Sequence, residues 1–257
     1  MIVRKEAQGL LLVGQTDHSR LVGQFAAHWG NARFAAPTPY DSVVRAATYH
    51  DYGWLSYETS PIITDAGETP DFRQVGAKQL DSYQWCVDWM TGIDRYSGLL
   101  VSMHRTGLWR ARYGTITYPT AFNPRALNDA TEAFIKRHEA WQEAEQRTHD
   151  PAQVWLNYRL LQVWDLLGLY FCCADPGEDR IEPVPETYRA AKGEGASLTL
   201  HAEGKRRVAL EPYPFDARPL SVQLSAKRLG EARWSDLLSF RKAYFQAPTE
   251  LLEFELV

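Results

Sequence analysis

The sequence predicts a mainly α-helical protein whose helical core carries a smaller antiparallel β-sheet. Three observations lead there. From Gln15 to about Asp175, apolar residues recur at intervals of three and four, the spacing of one helix face. A stretch rich in proline, glycine and charge, DPGEDRIEPVPETYRAAKGEGA (Asp175–Ala196), then breaks the pattern and reads as a long connector. Beyond it, SLTLH, RVALE, LSVQL and LEFELV alternate apolar and polar residues with period two, as antiparallel strands with one buried face do. The sheet is therefore assigned to the C-terminal region, with the opening MIVRKEAQGLLLVG, a short strand or hairpin, as a candidate further member. A separate C-terminal β module is the alternative. The expected division is residues 1–175 for a helical metal-binding core and 176–257 for the linker and β-rich segment packed on it.

The helices follow in order. DHSRLVGQFAAHWG (Asp17–Gly30) places Leu21, Val22, Phe25 and Trp29 on one face and stops at a glycine. A second helix starts after Pro39, with Asp41 or Ser42 as its N-cap. Gly76–Trp109 reads as two helices broken near Gly92. Pro124–Arg147 is amphipathic with a proline in its first turn, and Pro151–Asp175 is apolar nearly all round, which marks a buried central helix.

Composition excludes several function classes. The 257 residues suffice for one large domain, or a core with an appendage, and a sizeable apolar interior. A net charge of −4 gives no general attraction to nucleic acid or an anionic membrane. The longest apolar run, LLGLYFCCA (Leu166–Ala174), is far shorter than the roughly 20 residues of a membrane span. The four-residue apolar run near the N-terminus is too short for a secretory signal. Cys172 and Cys173 are adjacent and point apart, so with Cys86 they read as buried thiols of a reducing cytoplasm. The expected partner is a small-molecule substrate, without nucleic acid or membrane, and homo-oligomerisation stays open.

Ligand-type residues fall on core faces. His18 precedes Leu21, Val22, Phe25 and Trp29 by 3, 4, 7 and 11 positions, the middle of the first apolar stripe. Val43, Ala47, His50 and Trp54 share a face on the second helix, with Asp51 at its flank. His104 follows Leu100 by four and Val101 by three. Asp165 stands in the central helix between Trp164 and Leu166, with no polar face to join. A buried carboxylate without a partner costs several kcal/mol or takes up a proton. A single histidine of this kind is ordinarily a core residue bonded to a carbonyl. Several such groups on separate helices are satisfied together by a divalent cation, and imidazole with carboxylate suits Fe, Mn, Co or Zn. The candidate ligands are His18, His50, Asp51, His104 and Asp165, for one or two ions.

His18, the doublet His50-Asp51 and a later Asp165 resemble the metal-dependent phosphohydrolases of the HD-domain superfamily. The phrases QTDHSRL, ATYHDYGW, LLVSMHRTGL and LQVWDLLGLYFC are also similar to an uncharacterised bacterial family with this helical core. The resemblance covers about Gln15 to Cys173. It implies an HD-like core, metal ligation by His18, His50, Asp51 and Asp165, and hydrolysis of a small phosphorylated metabolite or nucleotide. His104 and Asp51 are the candidate catalytic residues, with Asp51 accepting a proton from water or bridging two metals. Signalling phosphodiesterases of the superfamily often carry Gly-Lys after the doublet, where this chain has YGW, so a cyclic dinucleotide is disfavoured. Trp54 is expected to pack against the site. Arg105 either supplies positive charge or, the reading its sequence favours, is exposed.

Two alternatives stand. His138 lies between Phe134 and Trp141 on its helix, and the series His18, His50-Asp51, His104, His138, Asp165 has the order of the di-iron, inositol-oxygenase-like branch of the superfamily. The other is a non-catalytic, metal-stabilised regulatory module. Specificity is assigned to loops at 61–76 and 110–124.

Overall fold

The computed structural model describes residues 1–74, 79–110, 115–116, 127–185 and 195–257. The helices are α1 (Gln15–His28), α2 (Tyr40–Tyr49), α3 (Leu55–Thr59), α4 (Gln79–Ile93), α5 (Arg95–Gly107), α6 (Asp129–Gln146), α7 (Pro151–Cys173) and α8 (Leu237–Gln246). The strands are β1 (Ile2–Lys5), β2 (Leu10–Val13), β3 (Thr115–Ile116), β4 (Asp179–Val184), β5 (Ala196–Ala202), β6 (Arg207–Glu211), β7 (Leu220–Leu229) and β8 (Thr249–Leu256). The segments 75–78, 111–114, 117–126 and 186–194 lie outside the described residues, and with them the start of a helix at Pro124, most of the specificity loop at 110–124, the end of the one at 61–76 and part of the connector.

α7 is the axis of the molecule. Its start is set by Asp150, whose carboxylate accepts the Ala152 N–H at 3.1 Å, with Pro151 in the first turn. From Leu156 to Cys172 every residue is buried, because α1, α2 and α5 cover it on one side and strands on the other. α6 packs on α5, and α4 pairs with α5.

The expectation of a mainly helical HD-like core with a small C-terminal sheet is wrong. The protein is a mixed α and β structure, in which one large sheet runs β1-β2-β7-β8-β6-β5-β4-β3. It is mixed because β6 and β8 lie parallel (Arg207 opposite Glu255) while the other neighbours are antiparallel. Several features hid its size. β4 comes from the stretch read as a connector, where DRIEPV carries three charges and a proline, yet Ile181 and Val184 are fully buried. β2 is LLLV, buried at all four positions, and so lacks the alternation of a one-sided strand.

The reason for that full burial is a second layer. One face of the sheet meets the helical core, where Phe254 lies 4.8 Å from Phe171 and Phe171 lies 5.9 Å from Phe25. On the other face Leu10, Leu12 and Leu229 join Trp234, Phe240 and Tyr244 in a separate cluster around α8. α1 is also fastened to β7 by polar contacts. The Gln24 amide donates to the Gln223 carbonyl at 2.8 Å and accepts the Gln223 N–H at 2.9 Å. No helix among the described residues is long and apolar enough to cross a membrane.

Candidate metal centre

His18 sits in the first turn of α1, fully buried. That turn is held by Glu58 of α3, whose carboxylate accepts the Thr16 N–H at 3.1 Å and also the Thr16 hydroxyl. The His18 ring lies against α7 because position 168 is glycine. A β-carbon there would come within 2.7 Å of His18 Cε1 and of Val22 Cγ2. Any larger residue would push the ring away from Asp165, one turn earlier on the same helix.

His50 and Asp51 stand where α2 ends, not within a continuing helix. His50 keeps helical angles (φ −57°, ψ −27°), Asp51 leaves them (φ −103°, ψ 10°), and Tyr52–Trp54 form a 3-10 turn. The helix break turns both side chains towards α7. His50 Nδ1 donates to the Ala47 carbonyl at 2.8 Å, which leaves Nε2 as the free ligand atom of the neutral ring.

Four side chains converge. Asp165 Oδ1 lies 2.8 Å from His18 Nε2 and 3.3 Å from His50 Nε2. Asp51 Oδ2 lies 3.4 Å from His50 Nε2 and 3.9 Å from His18 Nε2. One donor atom from each of His18, His50, Asp51 and Asp165 falls within 4.8 Å of the others, and all four residues are buried. Donors bound at roughly 2.0–2.2 Å to one ion lie roughly 3–3.5 Å apart, so this group needs little adjustment to hold a metal. His18 Nδ1 faces the Cys172 thiol at 3.7 Å, a soft and weak hydrogen-bonding partner.

His104 lies beside this group but outside it. Its ring is edge-on to His50 at 4.9 Å, and it lines a small cavity with His18, Asp51 and Asp165. His138 is elsewhere. Its Nδ1 meets Ser102 Oγ at 2.9 Å and its Nε2 meets Gln84 Oε1 at 3.0 Å, so both nitrogens are engaged within the α4–α5–α6 contact.

Arg105 is the residue that sequence reasoning misplaced. It is 2% exposed, not a surface arginine. Its guanidinium forms an ion pair with Asp51, donates to the His50 carbonyl at 2.5 Å, and lies 4.2 Å over the Tyr83 ring. Three buried polar atoms without a hydrogen-bond partner, Gln15 Oε1, Trp54 Nε1 and Arg105 Nε, belong to residues lining the cavity that holds the cluster. Such atoms are rare in a native interior; the two N–H groups suit an oxygen acceptor, and the Gln15 oxygen suits a donor. The cavity measures about 20 Å³, room for little more than one water.

The electrostatics are tightly balanced. Burial would raise the Asp51 pKa, but the Arg105 and His50 charges hold it well below the usual carboxylate range. Asp165 likewise stays ionised against its burial, through hydrogen bonds from His18 and His50. Burial lowers the pKa of His50, yet Asp51 and Asp165 override it and push it up to about 9. His104 is held well below the ordinary imidazole range by burial and by the neighbouring Arg105, so it is neutral.

A metal must displace the His50 proton, because only the neutral ring is a ligand. Affinity is therefore expected to rise about tenfold per pH unit from pH 7 and to level off near 9, with proton release on binding. Calorimetry in buffers of different ionisation enthalpy measures that release. The sign reverses for stability of the metal-free protein. A raised histidine pKa stabilises fully below the unfolded value, about 6.5, and the contribution is lost as pH climbs through about 9.

Residues 1–231 match the family described as "Protein of unknown function (DUF3891)". No curated protein and no solved structure matches the chain. The match spans well over half of the sequence, and the chain belongs to this family.

Proposed function

We propose that this member of the DUF3891 family is a metal-dependent phosphohydrolase acting on a small phosphorylated metabolite or nucleotide. The supporting observation is the convergence of two imidazoles, two ionised carboxylates and a buried arginine in one cluster. The HD-superfamily resemblance of the same residues points to the same chemistry. His18, His50, Asp51 and Asp165 would hold one divalent ion, with Fe, Mn, Co or Zn suited to two nitrogens and two carboxylates. When bound, that ion supplies Lewis acidity towards water and a phosphoryl oxygen.

The remaining work falls to the chain's own residues. Arg105 brings a permanent positive charge to the cavity, and its Nε–H, without a partner, would meet a phosphoryl oxygen once the cavity, sized in this structure for little more than one water, widens to admit a substrate. Trp54 offers a second buried N–H of the same kind. Asp51, ionised and shared between the ligand group and Arg105, is placed to take a proton from attacking water. His104, neutral at the cavity wall, is the candidate to accept that proton and pass it on to the leaving oxygen. Trp54, Phe72, Tyr83, Leu108 and Leu169 keep the surroundings apolar, which strengthens each of these charge interactions.

The three cysteines are free, two of them buried, in keeping with a reducing cytoplasm as the place of action. The oxygenase alternative depended on a ligand role for His138, whose nitrogens are already engaged by Ser102 and Gln84. The expected result is phosphate release from a panel of phosphomonoesters and nucleotides with added Mn or Co. It is lost by about a hundredfold or more in His104→Gln and kept within about threefold in His138→Gln. A metal-loaded protein that turns over nothing in such a panel would return it to the regulatory-module reading.

A further inference from the structure

A second cavity, of about 610 Å³, opens between the edge of the sheet and the end of α7. Its size is that of a small-molecule site. It lies on the other side of α7's last turn from the metal centre. Cys173 lines it, while Cys172 next door touches His18.

The strand register builds its base. Arg4 of β1 pairs with Leu11 of β2, and Leu11 pairs with Arg228 of β7, so two arginines flank a leucine in one row across three strands. Leu252 and Phe254 of β8 continue the apolar floor. From the opposite side the turn between β5 and β6 brings Lys205 and Arg206, with the Arg206 guanidinium carbon 5.1 Å from the centre of the Phe254 ring.

Charge at this cavity has the opposite sign to the chain as a whole. Five cations line it, Arg4, Lys5, Lys205, Arg206 and Arg228, against two carboxylates, Glu6 and Asp175. Both carboxylates are shared: Glu6 between Arg4 and Arg228, Asp175 between Arg4 and Lys205. Glu250, beside the cavity, holds Arg228 at 3.2 Å. Lys5 and Arg206 have no ion-pair partner among the described residues. Arg4 is largely buried, its side chain 14% exposed, and its two carboxylates fix the guanidinium at the base of the cavity. Guanidinium groups on neighbouring strands suit the several oxygens of a phosphoryl group, and the apolar floor suits an organic substituent.

We propose that this cavity binds a small phosphorylated molecule. Its phosphoryl group is held by Arg4, Arg206 and Arg228, and its organic part rests on Leu11, Leu252 and Phe254. The assignment stands apart from the hydrolase reading, since none of these residues is one of the metal ligands or lines the cavity beside them.

The test uses calorimetric titration of the full-length protein as purified. The probes are phenylphosphonate, which has no ester to hydrolyse, and inorganic phosphate. Phenylphosphonate should bind one site, about fivefold or more tighter than inorganic phosphate, and weaken as salt rises. The exposed-residue variant Lys205→Glu/Arg206→Glu should weaken it about tenfold or more, with metal content and melting temperature unchanged. Absence of binding at millimolar probe would overturn the site, as would binding unaffected by the double charge reversal. Binding that persists in the double variant but vanishes in Asp165→Asn belongs to the metal centre and overturns it equally. Inorganic phosphate binding as tightly as phenylphosphonate overturns the assignment to an organic phosphate.

Discussion

Replacing Asp165 with asparagine is expected to abolish metal binding while the chain still folds. The carboxylate oxygen of Asp165 is the donor closest to both imidazoles, 2.8 Å from His18 and 3.3 Å from His50. The amide keeps the shape and one hydrogen bond but loses the negative charge that opposes a divalent ion. Affinity should fall roughly a thousandfold or more, because one of four ligands and half of the anionic charge are removed. The metal-free variant should be less stable than the metal-free wild type by only about 1–3 kcal/mol, the cost of one compromised buried hydrogen-bond pair. Chelator-dependent melting separates the two effects. The wild type should lose melting temperature on chelation, and the variant should not respond. An equivalent change at the exposed Asp175 is the control, and should leave metal content untouched.

Arg105→Met should produce effects of opposite sign on folding and on metal affinity. The methionine fills much of the arginine's apolar volume but leaves Asp51 ionised, buried and without its main counter-charge. Breaking a buried pair from one side typically costs about 3–5 kcal/mol, and the metal-free variant should be destabilised by that order. Removing a fixed positive charge from beside the ligand group also removes repulsion of the incoming cation. Metal should therefore bind the variant more tightly than the wild type, and raise its melting temperature by a larger increment. If the proposed hydrolysis holds, phosphate release should nevertheless fall by about a hundredfold or more, since the variant would lack the guanidinium assigned to the phosphoryl group. Tighter metal with less turnover is a signature that simple misfolding does not give.

Much of the site was readable because helices bury one face in a fixed period. His18 and Asp165 had to point inward once Leu21, Phe25, Leu161 and Leu169 did. The doublet was readable for a partly wrong reason. The face arithmetic treated Val43 to Trp54 as one helix, whereas α2 stops at Tyr49 and the break itself aims His50 and Asp51. Arg105 was not readable. An arginine one position from an inward histidine can either reach water or meet a carboxylate from another helix, and only the tertiary arrangement decides. Gln15 was missed for the same reason, since nothing in its spacing reveals a shared cavity.

The sheet was most legible where one of its faces met solvent. β5, β6, β7 and β8 alternate and were found. β4 carries proline and charge and does not announce itself, whereas the run that forms β2, though covered on both faces, reads as part of an N-terminal strand or hairpin. The pairing of β2 with β7, and the parallel contact of β6 with β8, join segments far apart in the chain and have no local signal. α8 was overlooked because the ten residues of LLSFRKAYFQ place only Phe240 and Tyr244 in the interior, too few to show a period.

The central claim is that His18, His50, Asp51 and Asp165 hold a metal ion. Elemental analysis of the wild-type protein, purified without chelators or a metal-affinity tag, tests it most directly. About one transition-metal ion per chain is predicted, with the ion located by anomalous scattering among those four side chains. Protein that carries less than about a tenth of an ion per chain, takes up none from Mn, Fe, Co or Zn, and keeps its full melting temperature would contradict it.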